Sequence, residues 1–199
     1  MTLKIKSILS LLLAFLLTFA ACSAAPHKER VQPPMSERIL QIAQGMKKLA
    51  GVEEGDCLLN ASDEFPAGSS VCDWAALACA VGGAEDSYTA YLHALEAYVK
   101  NKLGEDSSLG RATDYHRIAL TVLALGGDPA AFSEDKSGEP VNLIEFGTYN
   151  YPGELGAQGL NAYIFALITL DSESYAVPDG SRYGSEFSRP PFAAFLPIL

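Results

Sequence analysis

Asp114, His116 and Arg117 crowd into the first turn of a stretch, Thr113 to Gly127, that is otherwise almost entirely apolar: Thr-Asp-Tyr-His-Arg-Ile-Ala-Leu-Thr-Val-Leu-Ala-Leu-Gly-Gly. Two other stretches repeat the plan. Asp73 and Trp74 head Asp-Trp-Ala-Ala-Leu-Ala-Cys-Ala-Val-Gly-Gly, and Gln158 and Asn161 head Gln-Gly-Leu-Asn-Ala-Tyr-Ile-Phe-Ala-Leu-Ile-Thr-Leu. Tyr149 belongs to Asn142–Tyr151, which sets three aromatics and two amides beside the third stretch. Polar groups converging at the mouth of an apolar pocket mark a small-ligand site. Asp73, Trp74, Asp114, His116, Tyr149, Gln158 and Asn161 are therefore the candidate binding residues. A plainer reading covers the same residues. Acids near helix starts act as caps and complement the helix dipole, His116 and Arg117 can pair with a neighbouring hairpin, and aromatics pack over helix ends.

Other chemistries find less support. A zinc site of the prenyltransferase type needs Asp, Cys and His converging, and only His27, His93 and His116 exist, with no Cys-x-x-Cys or His-x-x-x-His spacing. Cyclisation of an alkene needs a cluster of aspartates with one carboxyl kept protonated, and no Asp-x-Asp-Asp occurs. No catalytic residue, metal or cofactor is assigned. Besides Cys22 there are Cys57, Cys72 and Cys79, so at least one of these three stays unpaired in a monomer. Cys72 and Cys79, two turns apart and so about 10 Å along one helix, are too distant for a bond. Cys57 to Cys72 is possible across a loop, and Cys79 reads as a small buried hydrophobe. His93 sits in an apolar stripe as a core or boundary residue, and Asn60-Ala61-Ser62 fits a glycosylation sequon, which carries no meaning if the chain is bacterial.

The elements that must position these residues are helices. Thr113 stands where an N-cap would, Gly126-Gly127 supplies a left-handed stop, and the all-round apolar stretch between them reads as a buried helix. Setting Asp73, Asp114 and Asn161 in register gives separations of 41 and 47 residues, the range of helix-pair repeats. Between the buried helices lie amphipathic ones. Tyr88, Tyr91, Leu92, Leu95, Tyr98, Val99 and Leu103 form a stripe begun by Asp86 or Ser87 and ended by Gly104, and Ser36 caps a stripe of Ile39, Leu40, Ile42, Ala43, Met46 and Leu49 ending at Gly51. Buried helices alternating with amphipathic ones predict an all-α fold, an array of antiparallel helix hairpins in an inner and an outer layer.

The alternation, the period and the segments Asp-Trp-Ala-Ala-Leu-Ala, Thr-Asp-Tyr-His-Arg-Ile-Ala-Leu and Gln-Gly-Leu-Asn-Ala-Tyr-Ile-Phe-Ala-Leu resemble the α/α-toroid superfamily of terpenoid cyclases and protein prenyltransferases. The resemblance is nearer to its uncharacterised secreted bacterial members and covers about Ser36 to Arg182. It implies a fold more than a reaction, because that subgroup offers no catalytic residues to carry over. A full toroid closes on about six helix pairs, whereas three inner helices are visible here, which implies a partial toroid over residues 36–183. The expectation is a binding protein for a small molecule or peptide held in the central cavity, as in cobalamin-binding toroids. The alternative is a cyclase-like or transferase-like enzyme, or its inactive truncated remnant.

At the N-terminus, Lys4 and Lys6 precede the apolar run Ile8 to Ala21, a charged region and short hydrophobic core typical of a signal peptide over residues 1–21. Phe19-Ala20-Ala21-Cys22 resembles a lipobox, so Cys22 is the expected lipidation site, with ordinary cleavage nearby as the alternative. Residues 22–35, proline-rich and poor in apolar groups, read as a disordered tether. These features place the chain outside the cell, as a lipoprotein on the membrane face or secreted. The net charge of −10 argues against nucleic acid and against an anionic membrane surface, both of which need a basic face. Membrane contact would come through an N-terminal lipid only. At the other end, residues 184–199 read as an irregular apolar tail. Pro190, Pro191 and Pro197 interrupt Phe192, Phe195, Leu196, Ile198 and Leu199, the kind of end that a frameshift or premature stop would leave.

Overall fold

A computed structural model describes residues 33–53, 55–59, 65–103 and 108–187. The signal peptide, Cys22, nearly all of the tether, the Asn60 sequon and residues 188–199 lie outside the described residues. Those described are mostly helical, with seven α-helices and one two-stranded sheet, so the fold is all-α. The helices are α1 (Met35–Leu49), α2 (Ser70–Val81), α3 (Tyr88–Lys102), α4 (Ala112–Ala124), α5 (Leu143–Gly147), α6 (Leu160–Ser172) and α7 (Gly184–Phe187). Two 3-10 turns, Pro129–Ala131 and Leu155–Gln158, follow α4 and precede α6. The described residues from Pro34 onward fall in one unit.

The most apolar stretch of the sequence lies at the centre. In α4, Ala112, Ile118, Ala119 and Val122 are fully buried, and the helix packs against α2 on one side, α6 on the other and α5 on a third. Surrounding a helix on three sides is what its nearly continuous apolar surface requires. The amphipathic helix α3 buries Tyr91, Leu95, Val99 and the following Leu103 in the same core, as its stripe predicts. His93 lies on the opposite, exposed face of α3 and is not a core residue, because it falls outside the 91, 95, 99 spacing of the buried side chains. A smaller cluster of Ala43, Cys79 and Ala84, flanked by Tyr88, ties α1 to α2.

The stops of α2 and α4 are built alike. Gly83 and Gly126 both hold positive φ, 73° and 86°, and the next residue closes each helix with a six-residue hydrogen bond: Ala84 N to Cys79 O and Gly127 N to Val122 O, at 2.9 and 2.8 Å. The starts differ from the sequence reading. Thr113 is not an N-cap, since α4 begins at Ala112 with Arg111 at the cap. Asp114 supplies the reach-back instead, accepting from Arg111 N at 3.2 Å. Ser36 lies inside α1, whose first residue is Met35 after Pro34, a start suited to proline's fixed φ.

The segment 133–151 is more ordered than a loop. Ser133–Glu134 and Pro140–Val141 pair as an antiparallel hairpin held to α3 by Lys136 N donating to Leu103 O at 3.2 Å. Asn142 then caps the short α5 by accepting from Glu145 N at 3.0 Å. The close seat of α5 on α4 depends on Gly147, where a Cβ would come within 2.7 Å of Tyr115 Cβ. Cys57, Cys72 and Cys79 are all free thiols, so Cys57 does not pair with Cys72. Burial pushes the Cys72 and Cys79 thiols up from their ordinary range. Gly184–Phe187 is a helical turn with Phe187 buried against Tyr163 of α6, ring centroids 6.4 Å apart, so the irregular tail does not begin at Gly184.

Candidate functional site

The first turns of α2, α4 and α6 open onto one cavity of about 440 Å³. Its wall repeats a single pattern on three helices. Ser70 and Trp74 come from α2, Thr113 and Arg117 from α4, and Asn161 and Phe165 from α6, each pair four residues apart and hence stacked on one helix face. Arg111 and Asp114 complete the α4 side. Trp74 and Phe165 touch, ring centroids 5.8 Å apart and tilted by 44°, and give the cavity an apolar wall.

Behind that wall lies a buried polar network. Asp73 is fully buried, and its carboxylate accepts three hydrogen bonds: from Gly68 N at 2.9 Å and Tyr91 hydroxyl at 2.7 Å on Oδ1, and from Arg117 Nε at 2.9 Å on Oδ2. The Arg117 guanidinium also donates to Asp114 Oδ1 at 2.6 Å and to Gly68 O at 3.2 Å. A buried charge needs a partner and hydrogen bonds on every face, and both ions here have them. Burial alone would lower the Arg117 pKa, but the two carboxylates outweigh it and raise it. The Tyr91 hydroxyl is pushed far up, first by burial and then by the adjacent Asp73 charge, so it stays protonated and donates. The network joins α2, α3, α4 and the turn before α2, and so fixes where the cavity side of Arg117 faces.

Three of the candidates named from sequence line the cavity together: Trp74, Asp114 and Asn161. Gln158 stands just behind, its Oε1 accepting from Thr113 N at 3.3 Å and Thr113 hydroxyl at 3.1 Å, which ties the approach to α6 onto the start of α4. Asp73, His116 and Tyr149 are not in the cavity wall. Asp73 is the partner of Arg117. His116 is fully buried on the side of α4 that faces α5, with Nε2 donating to Gly147 O and Nδ1 without a partner among the described residues. Burial pushes its pKa down to about 4, against a smaller upward pull from that carbonyl bond. Tyr149 is buried beside α5, its hydroxyl pKa raised by burial and then by Glu145. The aromatic segment packs over the start of α4: Tyr151 lies edge-on to Tyr115 at 6.3 Å and donates to Gly110 O at 2.8 Å.

No family model, curated protein or solved structure matches the chain.

The cavity residues outside the sequence candidates are Ser70, Arg111, Thr113, Arg117 and Phe165, and the register explains the difference. Aligning Asp73, Asp114 and Asn161 put Asp73 at the cavity, whereas the structure aligns Ser70, Thr113 and Asn161, spaced 43 and 48 residues apart. In that register Asp73 matches His116, and both are fully buried. The left-handed glycines Gly83 and Gly126 are also 43 apart, so the helix stops carried the correct offset where the acidic starts did not. Among the described residues no three of His, Cys, Asp and Glu come together as a metal site requires.

Proposed function

We propose that this chain is an exported, lipid-anchored protein of partial α/α-toroid architecture that binds a small molecule or peptide where three of its helices start. The cavity carries this reading. Its roughly 440 Å³ lies within the range of about 300–1,000 Å³ usual for ligand sites, and polar groups from three separate helices converge on it beside an aromatic wall. The toroid reading is supported by α2, α4 and α6 starting at a common end while α1 and α3 pack through amphipathic faces. It is also supported by what α6 leaves uncovered. Leu160, Ile164, Leu167 and Ile168 are between 43% and 71% exposed and form one helical stripe, on the flank where a further helix pair would pack in a ring. The anchor rests on the lipobox-like Phe19-Ala20-Ala21-Cys22. Among the described residues no helix is long and apolar enough to cross a membrane.

Mass spectrometry of the protein purified from its own host reads both halves of this proposal. Denaturing spectra are expected to show a diacylglycerol-sized mass on Cys22 that Cys22→Ser lacks. Native spectra are expected to show a second, non-covalent mass that is lost on denaturation. Protein of bare mass under both conditions would remove the anchor and the ligand alike.

A further inference from the structure

The hydrogen-bond valences around the cavity decide what kind of ligand it suits. Its lining carboxylate is already paired. Asp114 Oδ1 accepts from Arg117 at 2.6 Å and Oδ2 from Arg111 N at 3.2 Å, while Gln158 Oε1 accepts twice from Thr113. Among the described residues, the Arg111 guanidinium, which can only donate, has no hydrogen-bond or ion-pair partner, nor do the Ser70 hydroxyl and the Asn161 amide, which can donate as well as accept, and all three line the cavity. The first turn of α6 has no side-chain cap and no acidic residue, so its free N–H groups and positive dipole end add to the same surplus. A cavity whose acid is neutralised and whose Arg111 is unpaired suits an anion, and a guanidinium fork matches a carboxylate in two parallel bonds. The same cavity is lined by the Trp74 and Phe165 pair, which suits a ring or branched aliphatic body.

Resting on the binding reading above, we propose that the cavity takes a carboxylate-bearing small molecule, its acid group held by Arg111, Asn161 and the start of α6, its apolar body against Trp74 and Phe165. The chain's overall charge of −10 opposes an anion at long range. That repulsion decays over about 8 Å at physiological salt, whereas contact with Arg111 does not depend on it. A free carboxylic acid and a peptide C-terminus present the same chemistry, and the test separates them.

Trp74 is the single tryptophan of the chain, so its emission reports on this cavity without labelling. Two acids, cyclohexanecarboxylate and N-acetyl-alanyl-leucine, are titrated beside their neutral amides. Each acid is expected to change the emission saturably at concentrations up to about 10 mM, where fragment-sized ligands bind, and at least about tenfold more tightly than its amide. Arg111→Gln, an exposed position outside the Asp73 network, is expected to erase the preference for acid over amide while the thermal unfolding midpoint is unchanged. Tighter binding of the dipeptide assigns the carboxylate to a peptide end, and tighter binding of the free acid to a metabolite. Equal binding of acid and amide, no response to either acid, or a preference that survives in Arg111→Gln would overturn the carboxylate assignment. A ligand mass retained on the host protein would still uphold the cavity, so the two claims fail separately.

Discussion

Arg117→Met is expected to lower the free energy of unfolding by about 3–5 kcal/mol, the range for breaking a buried ion pair from one side. The magnitude comes from what is left behind. Asp73 has no exposed surface, and without Arg117 its Oδ2 faces no cation while Oδ1 keeps only Gly68 N and Tyr91 hydroxyl. Removing both charges is a different matter. In Asp73→Asn with Arg117→Met, the amide oxygen can still accept from Gly68 and Tyr91, so the double variant should be more stable than Arg117→Met alone by about 1–3 kcal/mol, as coupled pairs behave. Urea denaturation of the wild type and the three variants measures this. Additive losses would show that the pair is not coupled through the buried network.

His116 gives the second large effect, and its sign follows from the direction of its shift. The unfolded imidazole titrates near pH 6.5 and the folded one near pH 4, because burial beside α5 disfavours its charged form. Above about pH 6.5 the ring is neutral in both states and contributes no pH dependence. Between pH 6.5 and 4 the unfolded state takes up a proton that the folded state refuses, so stability falls with falling pH, by about 3 kcal/mol over the whole interval. Below pH 4 both forms are protonated and this contribution levels off. His116→Gln, able to keep a donor toward Gly147 O, should flatten the slope between pH 6.5 and 4 whatever it does to stability at pH 7. A slope identical to wild type would mean that His116 is not the group responsible.

The helical class, the apolar centre at α4 and the stripe of α3 were legible because they depend on periodicity, which the chain itself displays. What stayed hidden depends on which face of a helix meets its neighbour. Asp73 and Asp114 look alike at the start of similar stretches, yet one is sealed behind Tyr91 and Arg117 and the other opens to the cavity. Two residues of offset separate those fates: at the 43-residue spacing Asp114 corresponds to Val71, and two residues turn a side chain by about 200°, to the other face of the helix. The glycine stops recorded the offset, because a left-handed residue can stand at only one place relative to the last turn. Residues 133–147 were opaque for another reason. A two-residue pairing and a five-residue helix are too short to show a period, and both are held by contacts with α3 and α4 rather than by local pattern.

The central claim is that the starts of α2, α4 and α6 form one ligand site around Trp74. Fluorine NMR of protein carrying 5-fluorotryptophan tests it directly, because one tryptophan gives one resonance. Adding the small-molecule extract of the host to ligand-stripped protein should shift or split that line. The Asn161→Phe variant, which narrows the same cavity and keeps Trp74 as the single tryptophan, should show a Trp74 line indifferent to the extract. A Trp74 resonance that no fraction of the extract moves in the wild type would contradict the account and leave the cavity as a packing gap between three helix ends.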